Sequence, residues 1–386
     1  MISKISQAML AAVTRKVSFE IDLLPLTIEE LPLKKIKNWL LTESSIALKP
    51  SRPWGFPTIL QVEPTSRCNL RCTVCPVGTG LGRPEGDMDL SMFRRIMDEL
   101  GDYLLVILFW DWGEPFLNPD AYEMIRIARG AGIKVVCSTN GHLFAGGDHA
   151  RRAVDCGLDV LIFSVDGITQ ETYQRFRRQG DLAKVLEGIR QVVAEKERVH
   201  SDTPLVNFRF IVMRHGEHEV PRLEAFASSL GVDVLTLRKF HFVPGTGKDL
   251  DETSDKGRGG VGETLVPRQS KYQLPVIAEE GRQPLRVERN PCRNLWNCPT
   301  IHWDGTVCSC FMDYSEQRPL GSLREQSFRE IWYGERYRRL RRAFRDNWQE
   351  LALCRECASG FQGGDVGREA NAEAFFFPRA AAGKPG

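Results

Sequence analysis

Hydrophobic positions between residues 57 and 241 alternate between two patterns. Six short apolar runs rich in β-branched residues (58–62, 105–109, 133–137, 160–163, 205–212 and 234–237) read as strands. Between them, stretches such as 91–100, 121–130, 182–199 and 220–230 are amphipathic at helical spacing. Strand–helix alternation of this kind predicts an α/β fold of parallel βα units. Six units predict a partial (β/α)6 barrel, two units short of a closed one. From residue 242 the periodicity dissolves, and 242–290, which includes Gly257-Arg258-Gly259-Gly260, reads as a linker or active-site loop. A compact cysteine-bearing module is expected over 291–361 and a weakly ordered tail over 362–386. The tail's aromatic run Phe375-Phe376-Phe377 is expected to dock onto the body or plug a groove. Residues 1–56 read as a helical extension, with a helix around 33–41, packed on the barrel. No internal repeat is present.

Charge narrows the partners. The 386 residues carry 52 basic and 50 acidic side chains, so overall charge points to no nucleic acid or other polyanion. Six arginines between 336 and 345 read as a solvated helix face. No apolar run reaches the ~20 residues that cross a bilayer. The run 8–13 is too short and poorly flanked for a signal peptide, which makes a cytoplasmic protein without a transmembrane segment the expectation.

Cysteine placement carries the chemistry. Of 11 cysteines, three lie within 68–75, four within 292–310 and two at 354 and 357, leaving Cys137 and Cys156 apart. In a large chain read as intracellular, clustered thiols point to metal binding or catalysis rather than disulfides. Cys68, Cys72 and Cys75 follow the first strand with C-x3-C-x2-C spacing. Three thiolates on one loop suit a 4Fe–4S cubane and leave one iron open. A zinc site is the competing reading, although zinc usually pairs one C-x2-C with another.

The segment Thr65-Ser66-Arg67-Cys68-Asn69-Leu70-Arg71-Cys72-Thr73-Val74-Cys75-Pro76 resembles the signature of the radical S-adenosylmethionine (SAM) superfamily. Trp112-Gly113-Glu114-Pro115 resembles that family's GGEP motif, with tryptophan replacing the first glycine. Ser138-Thr139-Asn140-Gly141 and Ser164-Val165-Asp166-Gly167 follow the third and fourth strands in the family's order. The resemblance makes 57–241 the radical SAM core. It implies that Cys68, Cys72 and Cys75 hold the SAM-binding 4Fe–4S cluster, and that Gly113 and Glu114 meet the SAM amino group. It further implies that Arg177, with Arg175 and Arg178 as rivals, meets the carboxylate, while Ser138, Asn140 and Ser164 are candidates for the ribose hydroxyls.

Residues 292–357 resemble the auxiliary-cluster modules called SPASM and twitch. Asp304-Gly305 between two short strands is a hairpin signal, Gly305 and Cys310 reproduce a G-x4-C step, and Cys354 and Cys357 form a C-x2-C pair. The implied ligands of a second, auxiliary 4Fe–4S cluster are Cys292, Cys310, Cys354 and Cys357. Cys298 and Cys308 remain alternatives, and structural zinc remains the competing metal. No cysteine follows 357, which fits the one-cluster, twitch-like form.

The resulting expectation is a radical SAM enzyme, fed by an electron donor such as flavodoxin or ferredoxin. It would cleave SAM reductively to a 5′-deoxyadenosyl radical, abstract a substrate hydrogen and oxidise the substrate radical through the auxiliary cluster. The expected substrate is a small alcohol-, sugar- or lipid-like molecule. A peptide maturase is the enzymatic alternative, and a non-catalytic iron–sulfur or zinc scaffold the non-enzymatic one. No catalytic acid or base is assigned, although Asp111, Asp166, Arg209 and Arg238 are candidates to face the barrel interior.

Overall fold

The structure is a computed structural model that describes residues 10–240, 265–273, 292–357 and 371–378. It begins with an antiparallel hairpin, β1 (Val17–Ile21) and β2 (Leu24–Ile28), and a helix, α1 (Leu33–Leu48). Six strands follow: β3 (Ile59–Val62), β4 (Val106–Phe109), β5 (Lys134–Thr139), β6 (Val160–Ser164), β7 (Leu205–Val212) and β8 (Val234–Lys239). They pair in chain order and are all parallel, which is the sheet of a partial barrel. The helices between them include α2 (Leu90–Leu100), α3 (Ala121–Gly130), α4 (His149–Asp155), α5 (Gln170–Phe176), α6 (Leu182–Arg198) and α7 (Val220–Ser229).

Side chains alternate across each strand, and the alternation sorts the residues into two cores. Val62, Ile107, Phe109, Val135, Cys137, Leu161 and Phe163 belong to the large core shared with the helices. Val106, Val136, Val160, Ile162 and Val234 point the other way, into the concave side, where the hairpin residues Val17, Leu24, Leu26 and Ile28 pack on them together with Trp39 of α1. The N-terminal segment is therefore a plug as well as a helix. The expected helix runs longer, Leu33–Leu48, and the hairpin that precedes it corrects the purely helical reading of 1–56. Because the plug fills the end at which the strands start, the open interior lies toward their C-terminal ends.

The cysteine module continues the same sheet. Its short strands β9 (Thr300–Ile301), β10 (Thr306–Cys308) and β11 (Gly321–Ser322) extend it beyond β3, with β9 parallel to β3. Helix α8 (Phe328–Tyr333) starts in a capping box between Ser327 and Glu330, and α9 (Glu335–Asn347) follows. Within α9, Arg341 is fully buried: its guanidinium stacks against Trp332 and Tyr337 and donates to the Leu295 and Trp332 carbonyls. The arginine-rich face is thus not uniformly solvated, since Arg341 turns inward while Arg338 and Arg342 pair with Glu335.

At the far edge, β12 (Asn371–Phe376) runs antiparallel to β8 and completes ten strands. This part of the tail, expected to be weakly ordered, is held by strand pairing that is regular from Glu373 to Phe376, with Phe375 and Phe377 packed on the main core. Most of the 242–290 segment lies outside the described residues. Its portion 265–273 is tied down where Arg268 and Gln269 donate backbone N–H groups to Glu217 and Tyr272 is buried. No helix among the described residues is long and apolar enough to cross a membrane.

Candidate active site

The loop after β3 carries the first three thiols and is pinned on both sides. On one side Ser66 donates its N–H to the Gly86 carbonyl, the Thr65 hydroxyl donates to Asp87 (2.6 Å), and the Asn118 amide donates to the Pro64 and Met88 carbonyls. On the other, the N–H groups of Arg71 and Thr73 donate to the carbonyls of Arg178, just after α5, and Phe176, its last residue. Two glycines allow the loop to close. A Cβ on Gly78 would sit 2.3 Å from the Cys72 carbonyl oxygen, and one on Gly113 would sit 2.1 Å from that of Thr65. Neither position has room for any other residue.

Cys68, Cys72 and Cys75 are free thiols, Cys72 buried and the others half-buried. Burial pushes Cys68 up to about 12 and Cys75 up to about 11, with repulsion from neighbouring thiols adding to both; burial raises Cys72 as well, with Asp166 adding and Arg177 opposing. Such thiols ionise only when a strong positive charge joins them, which is what an iron–sulfur cluster supplies. Among the described residues no three Cys, His, Asp or Glu side chains converge as tightly as a single ion requires. A cubane takes each thiolate on a different iron, so a wider triad of soft donors fits it.

Glu114 is 1% exposed, and burial pushes it up to about 7. It accepts hydrogen bonds from the Asn140 N–H (2.7 Å) and the Thr139 hydroxyl (2.6 Å), while its own N–H donates to the Arg67 carbonyl. The carboxylate thus ties the WGEP turn, the cysteine loop and the 138–141 turn into one unit. The Asn140 amide donates to Asn69 Oδ1 (2.7 Å) and lies 3.8 Å from Cys68 Sγ. Ser138 and Ser164, at the ends of adjacent strands, face each other at 3.3 Å. Arg177 Nε donates to Asp166 Oδ2 (2.6 Å) and its Nη1 lies 3.8 Å from Cys72 Sγ; burial opposes its charge, but Asp166 and Cys72 hold it protonated. Arg175 instead pairs with the exposed Glu171.

These residues share one cavity of about 440 Å³, lined by the three cysteines, Gly113, Glu114, Ser138, Asn140, Ser164 and Arg177. Asp111, Arg209 and Arg238 line it too, whereas Asp166 is taken up by Arg177 and by the Ile211 N–H. Thr139 and Asn69 escaped the sequence reading, and Asp166 entered it only as a candidate to face the barrel interior. All three lie inside the quoted motifs, but their partners are set by the tertiary fold.

In the C-terminal module, Cys310 is half-buried and its thiol pushed far up, first by desolvation and then by repulsion from Cys357, Cys292 and Cys354. The four expected ligands are therefore near neighbours. Cys298 instead lines the barrel cavity, and Cys308 sits buried beside Asp313 and Glu316. Module and barrel meet through Trp112, the residue that replaces the family's glycine: its Nε1–H donates to the Phe311 carbonyl (2.8 Å), and its ring meets Phe311 and Tyr314. Beneath it His302, fully buried, lies 2.8 Å from Glu316 and 3.4 Å from Asp111. Burial opposes protonation of His302, but hydrogen bonds to these carboxylates push it up to about 10, while burial pushes Asp111 up to about 6.

Residues 62–225 match the radical SAM superfamily, and residues 292–358 match an iron–sulfur cluster-binding domain known as SPASM, together more than half of the chain. Among curated relatives, the tungsten-containing aldehyde ferredoxin oxidoreductase cofactor-modifying protein of Pyrococcus furiosus is 28% identical over 72% of this chain and 81% of its own. The AdoMet-dependent heme synthase of Methanosarcina barkeri is 26% identical over 74% and 85%, and the Fe-coproporphyrin III synthase of the same organism 27% over 78% and 77%. Among solved structures, Streptococcus suis SuiB bound to precursor peptide SuiA superposes with a TM-score of 0.58 at 14% identity, over 84% of this chain and 76% of its own. The enzyme anSMEcpe with bound AdoMet superposes with a TM-score of 0.52 at 14% identity, over 82% and 93%. Thiol triad, WGEP turn, six-stranded partial barrel and cysteine module agree with these matches: the chain belongs to the radical SAM superfamily and carries a C-terminal SPASM domain.

Proposed function

We propose that this enzyme cleaves SAM reductively and uses the radical to oxidise a small organic molecule held in the barrel. The single observation that carries the reading is the shared cavity: the thiol triad, the WGEP turn and the inner face of β5–β8 open onto one space. Cys68, Cys72 and Cys75 would hold the SAM-binding cluster, and Cys292, Cys310, Cys354 and Cys357 the auxiliary one. When bound, the first cluster supplies the electron that splits SAM into methionine and a 5′-deoxyadenosyl radical, and the second offers an electron exit. The remaining roles belong to the chain. The Gly113–Glu114 turn faces the amino group of SAM with a buried carboxylate, and Arg177, held by Asp166, presents a cation to its carboxylate. Ser138, Asn140 and Ser164 offer hydroxyl and amide groups at the strand ends to the ribose. The hairpin plug closes the opposite end against water.

Support for a small substrate comes from the curated relatives, whose names describe synthesis of heme, synthesis of Fe-coproporphyrin III and modification of a cofactor. An electron donor such as flavodoxin or ferredoxin completes the proposal. The test is anaerobic incubation of reconstituted protein with dithionite and SAM. The wild type forms 5′-deoxyadenosine, whereas Cys72→Ala forms none while keeping the iron of the auxiliary site. Wild-type turnover by Cys72→Ala contradicts the proposal.

A further inference from the structure

The inner face of β7 and β8 carries a group of charges that SAM chemistry leaves unused. Arg209 and Arg238 stand on neighbouring strands, where Arg209 pairs in register with Thr236 and Ile211 with Arg238. Both guanidiniums reach one carboxylate, that of Asp22 in the turn of the N-terminal plug. Arg238 makes this contact with Nη1 alone, at 3.1 and 3.4 Å. Lys239 lines the same cavity and makes no ion pair among the described residues.

The charges at this end do not balance. Three cations face two carboxylates, Asp22 and the exposed Glu20. The other arginines of the cavity are already matched. Arg293 is held by Glu43 at 2.6 and 2.7 Å, and Arg177 by Asp166. Arg209 is 5% exposed, and burial pushes it down to about 10, with like-charged Arg238 adding to the effect in spite of Asp22 and, more weakly, Asp166. A buried guanidinium and a half-buried one sharing one carboxylate are under-neutralised, and an arriving anion would supply the missing charge. A guanidinium fork offers such an anion paired, planar donors.

We propose that Arg238 and Lys239, backed by Arg209 and Asp22, form an anion-binding subsite that anchors a carboxylate or phosphate group of the substrate within the barrel cavity. This rests on the reading of the cavity as the place of reaction and adds a substrate class to it: a small molecule with at least one acidic group. Asp22 acts as the internal counter-ion of Arg209 and Arg238.

Calorimetric titration of the full-length reconstituted protein at low ionic strength tests the subsite, with glutarate and inorganic phosphate as probes and glycerol as the uncharged control. Wild-type protein binds at least one anion saturably at one site and does not bind glycerol. The stronger of the two probes tells a carboxylate from a phosphate. Arg238→Gln weakens binding at least tenfold and Lys239→Gln at least fivefold. Asp22→Asn, which keeps a residue tolerant of its left-handed backbone, strengthens binding several-fold, which neither a surface site nor a misfolded variant would do. Absence of saturable binding, or equal affinity in wild type, Lys239→Gln and Asp22→Asn, overturns the proposal. Formation of 5′-deoxyadenosine by the wild type is measured separately. Anion binding without SAM cleavage would remove the proposed function and leave the subsite standing, and cleavage without anion binding the reverse.

Discussion

At the scale of single residues, Glu114 shows how a short motif gains its meaning from distant partners. The sequence places it in a turn after a strand; the fold surrounds it with the Asn140 N–H and the Thr139 hydroxyl and dries its environment. Its carboxyl is pushed up to about 7 by that burial, so the charged form that suits an ammonium is present above about pH 7 and is lost as pH falls through that value. SAM affinity is accordingly expected to decline below pH 7 in the wild type. Glu114→Gln should bind SAM at least tenfold more weakly at pH 8 with unchanged iron content, and its affinity should lose the pH dependence. Equilibrium dialysis across pH 6–8 checks both outcomes, and an unchanged affinity in the variant would refute the role. Cys68, Cys72 and Cys75 were legible as a set because their spacing alone implies a loop of thiolates. Asp166, which fixes Arg177, was not, because an Asp-Gly pair by itself reads as a turn.

At the scale of elements, the six parallel strands were legible because their apolar runs recur with helices between them. The plug was not. Val17–Ile28 alternates as a hairpin should, but its turn residues Asp22 and Leu23 both take left-handed backbone (φ 59° and 64°) without the glycine or asparagine that normally marks such a turn. The strand at Asn371–Phe376 was hidden for another reason: its stability comes from pairing with β8, a contact that local composition does not encode. The seam between barrel and cysteine module adds a pH-sensitive element. The folded-state pKa of His302 is raised from 6.5 to about 10 by hydrogen bonds to Asp111 and Glu316, which outweigh its desolvation. Glu63 and Arg83 complete the surrounding charges. A raised value means that the stabilisation is complete below about pH 6.5 and fades as pH rises toward 10. Unfolding free energies from urea titrations at pH 7, 8, 9 and 10 should therefore fall in the wild type, by on the order of a few kcal/mol overall. The His302→Gln variant should be less stable at pH 7 and follow a flatter course. Parallel curves for the two proteins would show that His302 carries no such charge.

At the scale of the whole molecule, one continuous sheet joins the barrel to the cysteine module, since β9 extends β3 directly and Trp112 lies across the junction. This arrangement carries both thiol groups on one sheet, the first group lining the cavity, with an open position implied at the first cluster and four thiols at the second. The central claim is that the protein holds two clusters of which one takes SAM. Its most direct test is iron and sulfide analysis with EPR spectroscopy on anaerobically reconstituted protein, with and without SAM, beside the Cys68/Cys72/Cys75→Ala triple variant. The account predicts about eight irons in the wild type and about four in the variant, with a reduced signal that SAM perturbs only in the wild type. A signal indifferent to SAM, or zinc in place of iron at Cys292, Cys310, Cys354 and Cys357, would contradict it.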